Sequence, residues 1–313
     1  MGERRRISPL GVSPLEFPET DELPEGVKTV EWKDSFGYPV NLIPDIEYAV
    51  KDGYPLHIEL YLPSLADPDG EPQKAPLIVH IQGSAWKKQA MFQSIGMLTR
   101  MAAKGYTIAS VEYRPSETAP FPAQVEDVKS GISFLAAHAD AYPIDLDRVA
   151  LWGDSSGGHT ALLTGITGDR ELLPTGGLVL PDIRCIVDWY GPTEIAEMNY
   201  YPSNIDHTAA DSPEGMLIGG KNVLENRDLA EKTVVMNYLR ADIPTPPVLI
   251  MHGGSDMLVP FNQSARLYRR MKELGKAVEM IKLVGSNHGF MGFQCEEALE
   301  MVHAFLAEHL RVR

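Results

Sequence analysis

The chain has 313 residues, of which 44% are hydrophobic and 23% are charged, a composition typical of globular proteins. Its 28 basic and 43 acidic residues give a net charge of −15 at pH 7. Because a surface this acidic repels phosphate backbones, the charge argues against a nucleic-acid-binding protein. No apolar run is long enough to cross a bilayer, so no membrane partner is expected either.

The two cysteines, Cys185 and Cys295, form no metal-binding spacing, and the chain has no HExxH motif. Neither a metal nor another cofactor is therefore expected. Whether the two thiols are bridged stays open here, as does the oligomeric state. The N-terminus lacks the apolar core of a signal peptide, which favours the cytoplasm, or secretion if a signal precedes this start.

The first part of the chain predicts a lead-in followed by the edge of a sheet. Residues 1–40, rich in proline and acidic side chains, predict an extended segment, and a single folded domain is expected over 41–313. The runs DIEYAV and LHIELYL (45–50 and 56–62) are typical of antiparallel edge strands. LIVHI (77–81) predicts a buried strand, and a helix is predicted to follow over 89–104.

From residue 107 onward, predicted strands and helices alternate. The strands are TIASVEY (107–113), RVALWG (148–153), CIVDWYG (185–191), PVLIMHG (247–253) and VEMIKLV (278–284). Two helices are predicted over 156–166 and 262–274. Two more are predicted from apolar residues that share one helical face: Val125, Val128, Ile132 and Leu135 in one, and Ala298, Met301, Val302 and Phe305 in the last. This alternation predicts the α/β class, a mostly parallel central sheet with helices on both faces.

Residues 192–245 interrupt this alternation, since they contain no clear strand. A long structureless loop is rare inside a compact domain, so the stretch is interpreted as a small cap insertion. Tyr200, Tyr201 and Met216 are the candidate wall residues of a pocket below it, with buried packing as the alternative. The stretch lacks a long amphipathic lid, which favours short acyl groups over long lipid chains.

The strongest chemical signal is the sequence Gly-Asp-Ser-Ser-Gly-Gly (153–158), which matches G-x-S-x-G. A predicted strand runs into it and a predicted helix leaves it, the context of a nucleophile elbow. Ser155 has glycines two positions before and after it, whereas Ser156 does not. Ser155 is therefore the predicted nucleophile.

A serine nucleophile needs a base and an orienting carboxylate, and both appear downstream in the order expected for this fold. Asp256 follows the predicted strand 247–253, and His288 follows the predicted strand 278–284. Because each lies in a loop directly after a strand, the pattern predicts a Ser155–His288–Asp256 triad. His252, just before the acid, is interpreted as part of the turn that carries it.

Acyl transfer also needs backbone N–H donors for an oxyanion. The turn Gln82-Gly83-Ser84 follows the strand 77–81, so Gly83 and Ser84 are predicted donors, together with the N–H of Ser156. His80 lies within that strand and is interpreted as structural.

These motifs resemble α/β-hydrolases of the hormone-sensitive-lipase-like and acetyl/feruloyl (carbohydrate) esterase groups. The resemblance covers roughly residues 45–310 and rests on HIQGSAW, VEYRPSETAPFPAQVEDV, GDSSGGH, DSPEGMLIGG, PPVLIMHGGSDMLVP and GSNHGF. Gln82-Gly83-Ser84 departs from the His-Gly-Gly of many relatives. The resemblance implies an α/β-hydrolase serine esterase acting on small-molecule or oligosaccharide esters, acetyl or feruloyl, and the motifs together predict hydrolysis through an acyl-enzyme.

Other interpretations were weighed against this one. A trypsin-like protease is excluded because that fold is all-β and its histidine lies much further from the serine than His138 does here. A feruloyl esterase, a formamidase or amidase with the same triad, and a catalytically silent binding protein stay open. Asp67 and Asp69 flank Pro68 and are followed by Gly70, which indicates a surface turn, not a metal site.

Overall fold

The computed structural model describes residues 10–11, 16–31, 37–65, 73–170, 172–174, 176–289 and 292–311. Within these ranges eight strands form one sheet in the order β1-β2-β4-β3-β5-β6-β7-β8. The strands are β1 (Val40–Lys51), β2 (Tyr54–Pro63), β3 (Ala75–Ile81), β4 (Thr107–Val111), β5 (Ile144–Asp154), β6 (Ile183–Trp189), β7 (Val248–Gly253) and β8 (Val278–Leu283).

The strand directions divide the sheet into an antiparallel edge and a parallel body. β2 runs antiparallel to both β1 and β4, and every pair from β4 through β3 to β8 is parallel. The predicted antiparallel edge strands and mostly parallel sheet are confirmed. The carboxyl ends of the parallel strands meet at one edge of such a sheet, where loops carry functional groups.

Helices cover both faces of the sheet, as predicted. They are α1 (Ile95–Ala102), α2 (Ala123–Ala137), α3 (Ser156–Thr167), α4 (Pro213–Leu217), α5 (Arg227–Ala230), α6 (Asn262–Glu273) and α7 (Glu296–Leu310). Alternate strand residues enter opposite cores: Leu77 and Val79 pack with α2, α3 and α6, whereas Ile78 packs with α1 and α7.

Two helix predictions differ from the structure. Helix α1 begins at Ile95, not at residue 89, because Gln89 is used in a loop contact: its Oε1 accepts the N–H of Tyr113 at 2.8 Å. In α7, Ala298, Val302 and Phe305 are buried as predicted, but Met301 is 44% exposed.

The segment between β6 and β7 contains no strand, and it has its own small core. A 3₁₀ turn (Ile195–Tyr200), α4 and α5 lie within it. Their buried side chains pack together with Trp86; they are Ile195, Met198, Leu217, Ile218, Val223 and Ala230. The segment is therefore fixed to the turn that follows β3.

Four further predictions concern the N-terminal segment, the turn at Asp67 and Asp69, the two cysteines and membrane-spanning helices. The described residues before Val40 form neither helix nor strand, and Asp67 and Asp69 lie outside the described residues. Cys185 is buried and Cys295 is exposed, and both are free thiols. No helix in the described ranges has the length and apolar character needed to cross a membrane.

Candidate active site

Ser155 lies at the sharp turn between β5 and α3. Its φ of 52° and ψ of −126° are a strained combination for a residue with a side chain. The N–H of Ser155 donates to the carbonyl of Trp189 at 2.8 Å, which ties the turn to the end of β6. The turn therefore holds the hydroxyl at the carboxyl edge of the sheet, as the G-x-S-x-G context predicts.

The glycine at 157 is required because another backbone passes against it. A Cβ there would lie 2.0 Å from the carbonyl oxygen of Ile81. The strand β3 and the first turn of α3 can approach this closely only when residue 157 has no side chain. The sequence Gly-x-Ser-x-Gly is thus a packing requirement of the turn.

Gly157→Ala is expected to lower the free energy of unfolding by about 1–3 kcal/mol or more, because backbone atoms must shift to admit the methyl group. Gly96→Ala is the matched control, since a Cβ at Gly96 in α1 meets no atom within 4 Å. Thermal unfolding of both variants measures the difference. Equal unfolding temperatures for the two variants would show that α3 and β3 leave room for a methyl group at residue 157.

His288 follows β8 and lies against Ser155. Its Nε2 is 3.0 Å from Ser155 Oγ, and its Nδ1 is 2.8 Å from Asp256 Oδ2. The backbone N–H of His288 donates to Asn287 Oδ1 at 2.7 Å, and the ring of Tyr190 packs 4.6 Å from the imidazole. The structure thus brings together the three residues that the sequence predicts as nucleophile, base and acid.

Asp256 follows β7 and its side chain is fully buried. Oδ1 accepts the N–H groups of Leu258 and Val259, each at 2.9 Å, and Oδ2 faces the imidazole of His288. Burial raises the pKa of this carboxyl, but hydrogen bonds from His252 and His288 lower it by more, so the pKa lies well below its usual value. The carboxylate is therefore charged at the pH of any ordinary assay.

Sequence analysis missed the part that His252 takes in this site. Its Nε2 lies 3.2 Å from Asp256 Oδ2 and 2.9 Å from the carbonyl of Val259, and its Nδ1 lies 2.7 Å from Ser264 Oγ. His252 therefore contacts the same carboxylate oxygen, Oδ2, that faces His288. The sequence feature that could have indicated this role is the position of His252 four residues before Asp256, across the turn.

The predicted oxyanion turn differs from the structure at Gly83. The N–H of Gly83 donates to Asp154 Oδ1 at 3.0 Å, so this predicted oxyanion donor is already bound in the structure. Asp154 is partly buried, and a carboxylate withdrawn from water needs such partners. His80 is buried in β3 as expected, with its pKa lowered by burial to about 4.

The other two predicted donors lie next to each other. The N–H of Ser84 donates to Ser156 Oγ at 2.9 Å, and this hydroxyl lies 3.1 Å from the Tyr113 hydroxyl. Ser156 is the first residue of α3, where N–H groups have no acceptor within the helix. The N–H of Ala85, whose φ is 57°, has no hydrogen-bond partner in the described part of the chain.

Ser156→Ala tests whether this serine acts through its backbone. The N–H remains in the variant and one neutral hydrogen-bond network is lost, so kcat is expected to fall by less than about tenfold. Steady-state kinetics on an aryl acetate measures it. A loss as large as that expected for a missing nucleophile would identify Ser156 as the reacting hydroxyl.

These groups line a cavity of about 290 Å³. Apolar walls come from Trp86, Met97, Trp189, Pro192, Ile205, Leu258 and Val259. The predicted wall residues are wrong: Tyr200 and Tyr201 are 64% and 44% exposed, and none of Tyr200, Tyr201 and Met216 lines the cavity. Ile205, His207, Pro213 and Glu214 form that part of the wall instead.

The strand order, the strained serine turn and the loops that follow β7 and β8 are those of the α/β-hydrolase fold. Residues 59–271 match the BD-FAE family, and the chain belongs to that family. Among curated proteins it is similar to esterase LipC of Mycobacterium tuberculosis, with 26% identity over 69% of this chain and 53% of LipC. The chain spans about half the length of the curated relatives it matches.

Two solved structures share this architecture at comparable identity. One is a truncated form of a carbohydrate esterase from gut microbiota, with 26% identity, a TM-score of 0.76, and coverage of 88% of this chain and 98% of that one. The other is a bifunctional GH43-CE protein of Bacteroides eggerthii, with 29% identity, a TM-score of 0.71, and coverage of 86% and 38%. The resemblance to serine esterases predicted from the motifs is confirmed.

Proposed function

We propose that this chain is a serine carboxylic-ester hydrolase that removes short, acetyl-type acyl groups from carbohydrate alcohols. The observation that carries this proposal is the hydrogen-bonded series Ser155–His288–Asp256, with 3.0 and 2.8 Å between successive groups, at the wall of a small cavity. The esterase names of LipC and of the carbohydrate esterase support it.

The geometry supports an acyl-enzyme pathway. His288 Nε2 takes the proton of Ser155 Oγ as that oxygen attacks the ester carbonyl carbon, and the resulting imidazolium is stabilised by Asp256. His288 then gives the proton to the departing alcohol oxygen. Water, deprotonated by the same nitrogen, attacks the acyl-serine, and the acid leaves as Ser155 recovers its proton.

The carbonyl oxygen becomes negative in both steps and needs N–H donors. The N–H of Ser156 at the start of α3 and the N–H of Ala85, which has no partner among the described residues, are the donors that this geometry favours, because Gly83 is bound to Asp154. Ser84 is a donor only if its N–H leaves the Ser156 hydroxyl.

The size and lining of the cavity support a short acyl group. A cavity of about 290 Å³ is at the small end for ligand sites. Part of its wall comes from residues 192–245, which we interpret as a cap, and Trp86 fixes this segment in place. A mostly apolar pocket of this size accommodates an acetyl group better than a long chain.

A panel of esters tests the substrate class. Turnover is expected to be highest for para-nitrophenyl acetate, to fall through butyrate and octanoate, and to include acetylated xylo-oligosaccharides. Preference for the octanoate would contradict the short-acyl proposal. Preference for a methyl hydroxycinnamate or an N-formyl amide would favour the feruloyl esterase or formamidase alternative, and no turnover of any ester would favour a silent binding protein.

A further inference from the structure

Two buried titratable side chains form part of the cavity wall without belonging to the triad. His207 and Glu214 are 2% and 3% exposed, and both line the cavity that contains Ser155. They lie in the segment between β6 and β7, on either side of the loop that leads into α4. Buried charged groups are expensive unless they are paired or used, so their presence in this wall requires an explanation.

The two side chains contact each other. His207 Nδ1 is 2.9 Å from Glu214 Oε1, although the angle falls short of a hydrogen bond. His207 Nε2 faces the carbonyl of Leu258 at 3.0 Å and Ser203 Oγ at 2.8 Å. One ring nitrogen of His207 therefore faces a carboxylate and the other a carbonyl, so the ring is held between two acceptors.

The carboxylate of Glu214 keeps unused capacity to accept hydrogen bonds. Its Oε2 is buried and has no hydrogen-bond partner among the described residues. A buried oxygen left this way costs free energy, and the cost is recovered when a ligand donates to it. The described residues lining the cavity include no Lys or Arg that could serve as that donor.

A hydroxyl group fits this position better than a cation, because a hydroxyl donates to the buried oxygen without having to lose the hydration of a full charge. An ester of a polyol carries such a hydroxyl on the carbon next to the ester oxygen, whereas a simple aryl or alkyl ester does not. The wall that contains Glu214 also reaches Leu258, two residues after the acid Asp256, and so borders the catalytic groups.

We propose that Glu214, held in place by His207, accepts a hydrogen bond from a hydroxyl adjacent to the scissile ester and thereby selects polyol alcohols. This inference rests on the proposed esterase function and specifies how that site recognises its alcohol. Glu214 is a recognition residue in this account and takes no part in the proton transfers between Ser155 and His288.

The first experiment uses the unaltered protein. kcat/KM is measured for a monoacetylated methyl xyloside and for the analogue in which the neighbouring hydroxyl is replaced by hydrogen. Loss of one hydrogen bond to a charged group is expected to lower kcat/KM by about 10- to 100-fold for the deoxy analogue. Equal values for the two sugars, or faster turnover of an analogue with an amine in place of the hydroxyl, would overturn the proposal.

The second experiment removes the acceptor. Glu214→Leu is expected to abolish the discrimination between the two sugars, because the acceptor oxygen is gone. The readout is the ratio of the two kcat/KM values within the variant, not its absolute rate. Glu214→Gln, which keeps one acceptor oxygen, should retain part of the discrimination. Glu225→Gln, an exposed site in the same segment, is the matched control and should behave as the unaltered protein does.

These outcomes distinguish failure of the Glu214 recognition proposal from failure of the proposed esterase function. An equal loss on all substrates in Glu214→Leu would indicate a structural role and would overturn the recognition proposal while the esterase function stands. If the variant does not fold, the comparison of the two sugars in the unaltered protein decides alone. Failure of the unaltered protein to hydrolyse any ester would overturn the proposed function itself.

Discussion

Ser155→Ala is expected to lower kcat for para-nitrophenyl acetate by about 10⁴–10⁶-fold, the loss seen when a member of such a triad is removed. The reason is geometric: the Ser155 hydroxyl lies 3.0 Å from His288 Nε2 at the strained turn that ends β5. The adjacent Ser156 hydroxyl is instead bound by the N–H of Ser84. Initial rates and an active-site titration measure the loss.

The fold should survive this substitution, since the deleted oxygen has His288 as its hydrogen-bond partner among the described side chains. An unchanged circular dichroism spectrum and melting temperature would establish that. Ser130→Ala on α2, distant from the cavity, is the matched control and should keep full activity. More than one tenth of the original kcat in Ser155→Ala would refute its assignment as nucleophile.

Asp256→Asn is expected to lower kcat by about 10⁴-fold without unfolding the protein. Oδ1 of Asp256 accepts two backbone N–H groups, so the asparagine oxygen must stay in that position. Its amide nitrogen then faces Nδ1 of His288, where a donor meets a donor. The imidazole is forced into the tautomer that carries its proton toward Ser155, and it can no longer act as a base.

Asp242→Asn removes the same charge from an exposed position and serves as the control. Its kcat should match that of the unaltered protein, since long-range charge effects are screened at ordinary salt concentrations. A fall of less than tenfold in Asp256→Asn would show that the carboxylate does not set the tautomer. An equal fall in kcat for Asp242→Asn would show that the loss of a negative charge, not the orientation of the His288 imidazole, lowers the rate.

The sequence predicts the triad because parallel strands constrain where their loops meet. Ser155 directly follows β5, and Asp256 and His288 lie in the loops that follow β7 and β8. The carboxyl ends of these three strands lie at one edge of the sheet. The nucleophile elbow at Ser155 is predictable from a short stretch of sequence, because a strand, a G-x-S-x-G turn and a helix specify it together. Neither prediction depends on distant side chains.

The sequence does not show which N–H groups of the turn after β3 are free to bind an oxyanion. The direction of each N–H depends on backbone angles and on partners far away in the sequence. Ala85 and Trp86 both have positive φ values, 57° and 53°, which their residue types do not indicate. Asp154, more than seventy positions away in sequence, accepts the N–H of Gly83. A tertiary contact therefore occupies an N–H group that the motif alone predicts to be an oxyanion donor.

The pocket wall was mispredicted for a related reason. Tyr200 and Tyr201 attract notice as aromatic residues, but the short helical turns between β6 and β7 have no periodicity that tells a buried face from an exposed one. The buried wall residues His207 and Glu214 are paired through space. Tertiary contacts bring this segment to the cavity: its apolar side chains pack with Trp86, and His207 Nε2 lies 3.0 Å from the carbonyl of Leu258.

The central claim is that the hydroxyl of Ser155 forms a covalent bond to the acyl group, and one labelling measurement tests it most directly. The protein is treated with a para-nitrophenyl alkylphosphonate, and peptide mass spectrometry locates the adduct. The account predicts a single adduct on Ser155, formed in step with the loss of activity and absent from Ser155→Ala. An adduct on Ser156, or complete inactivation with Ser155 unmodified, would contradict it.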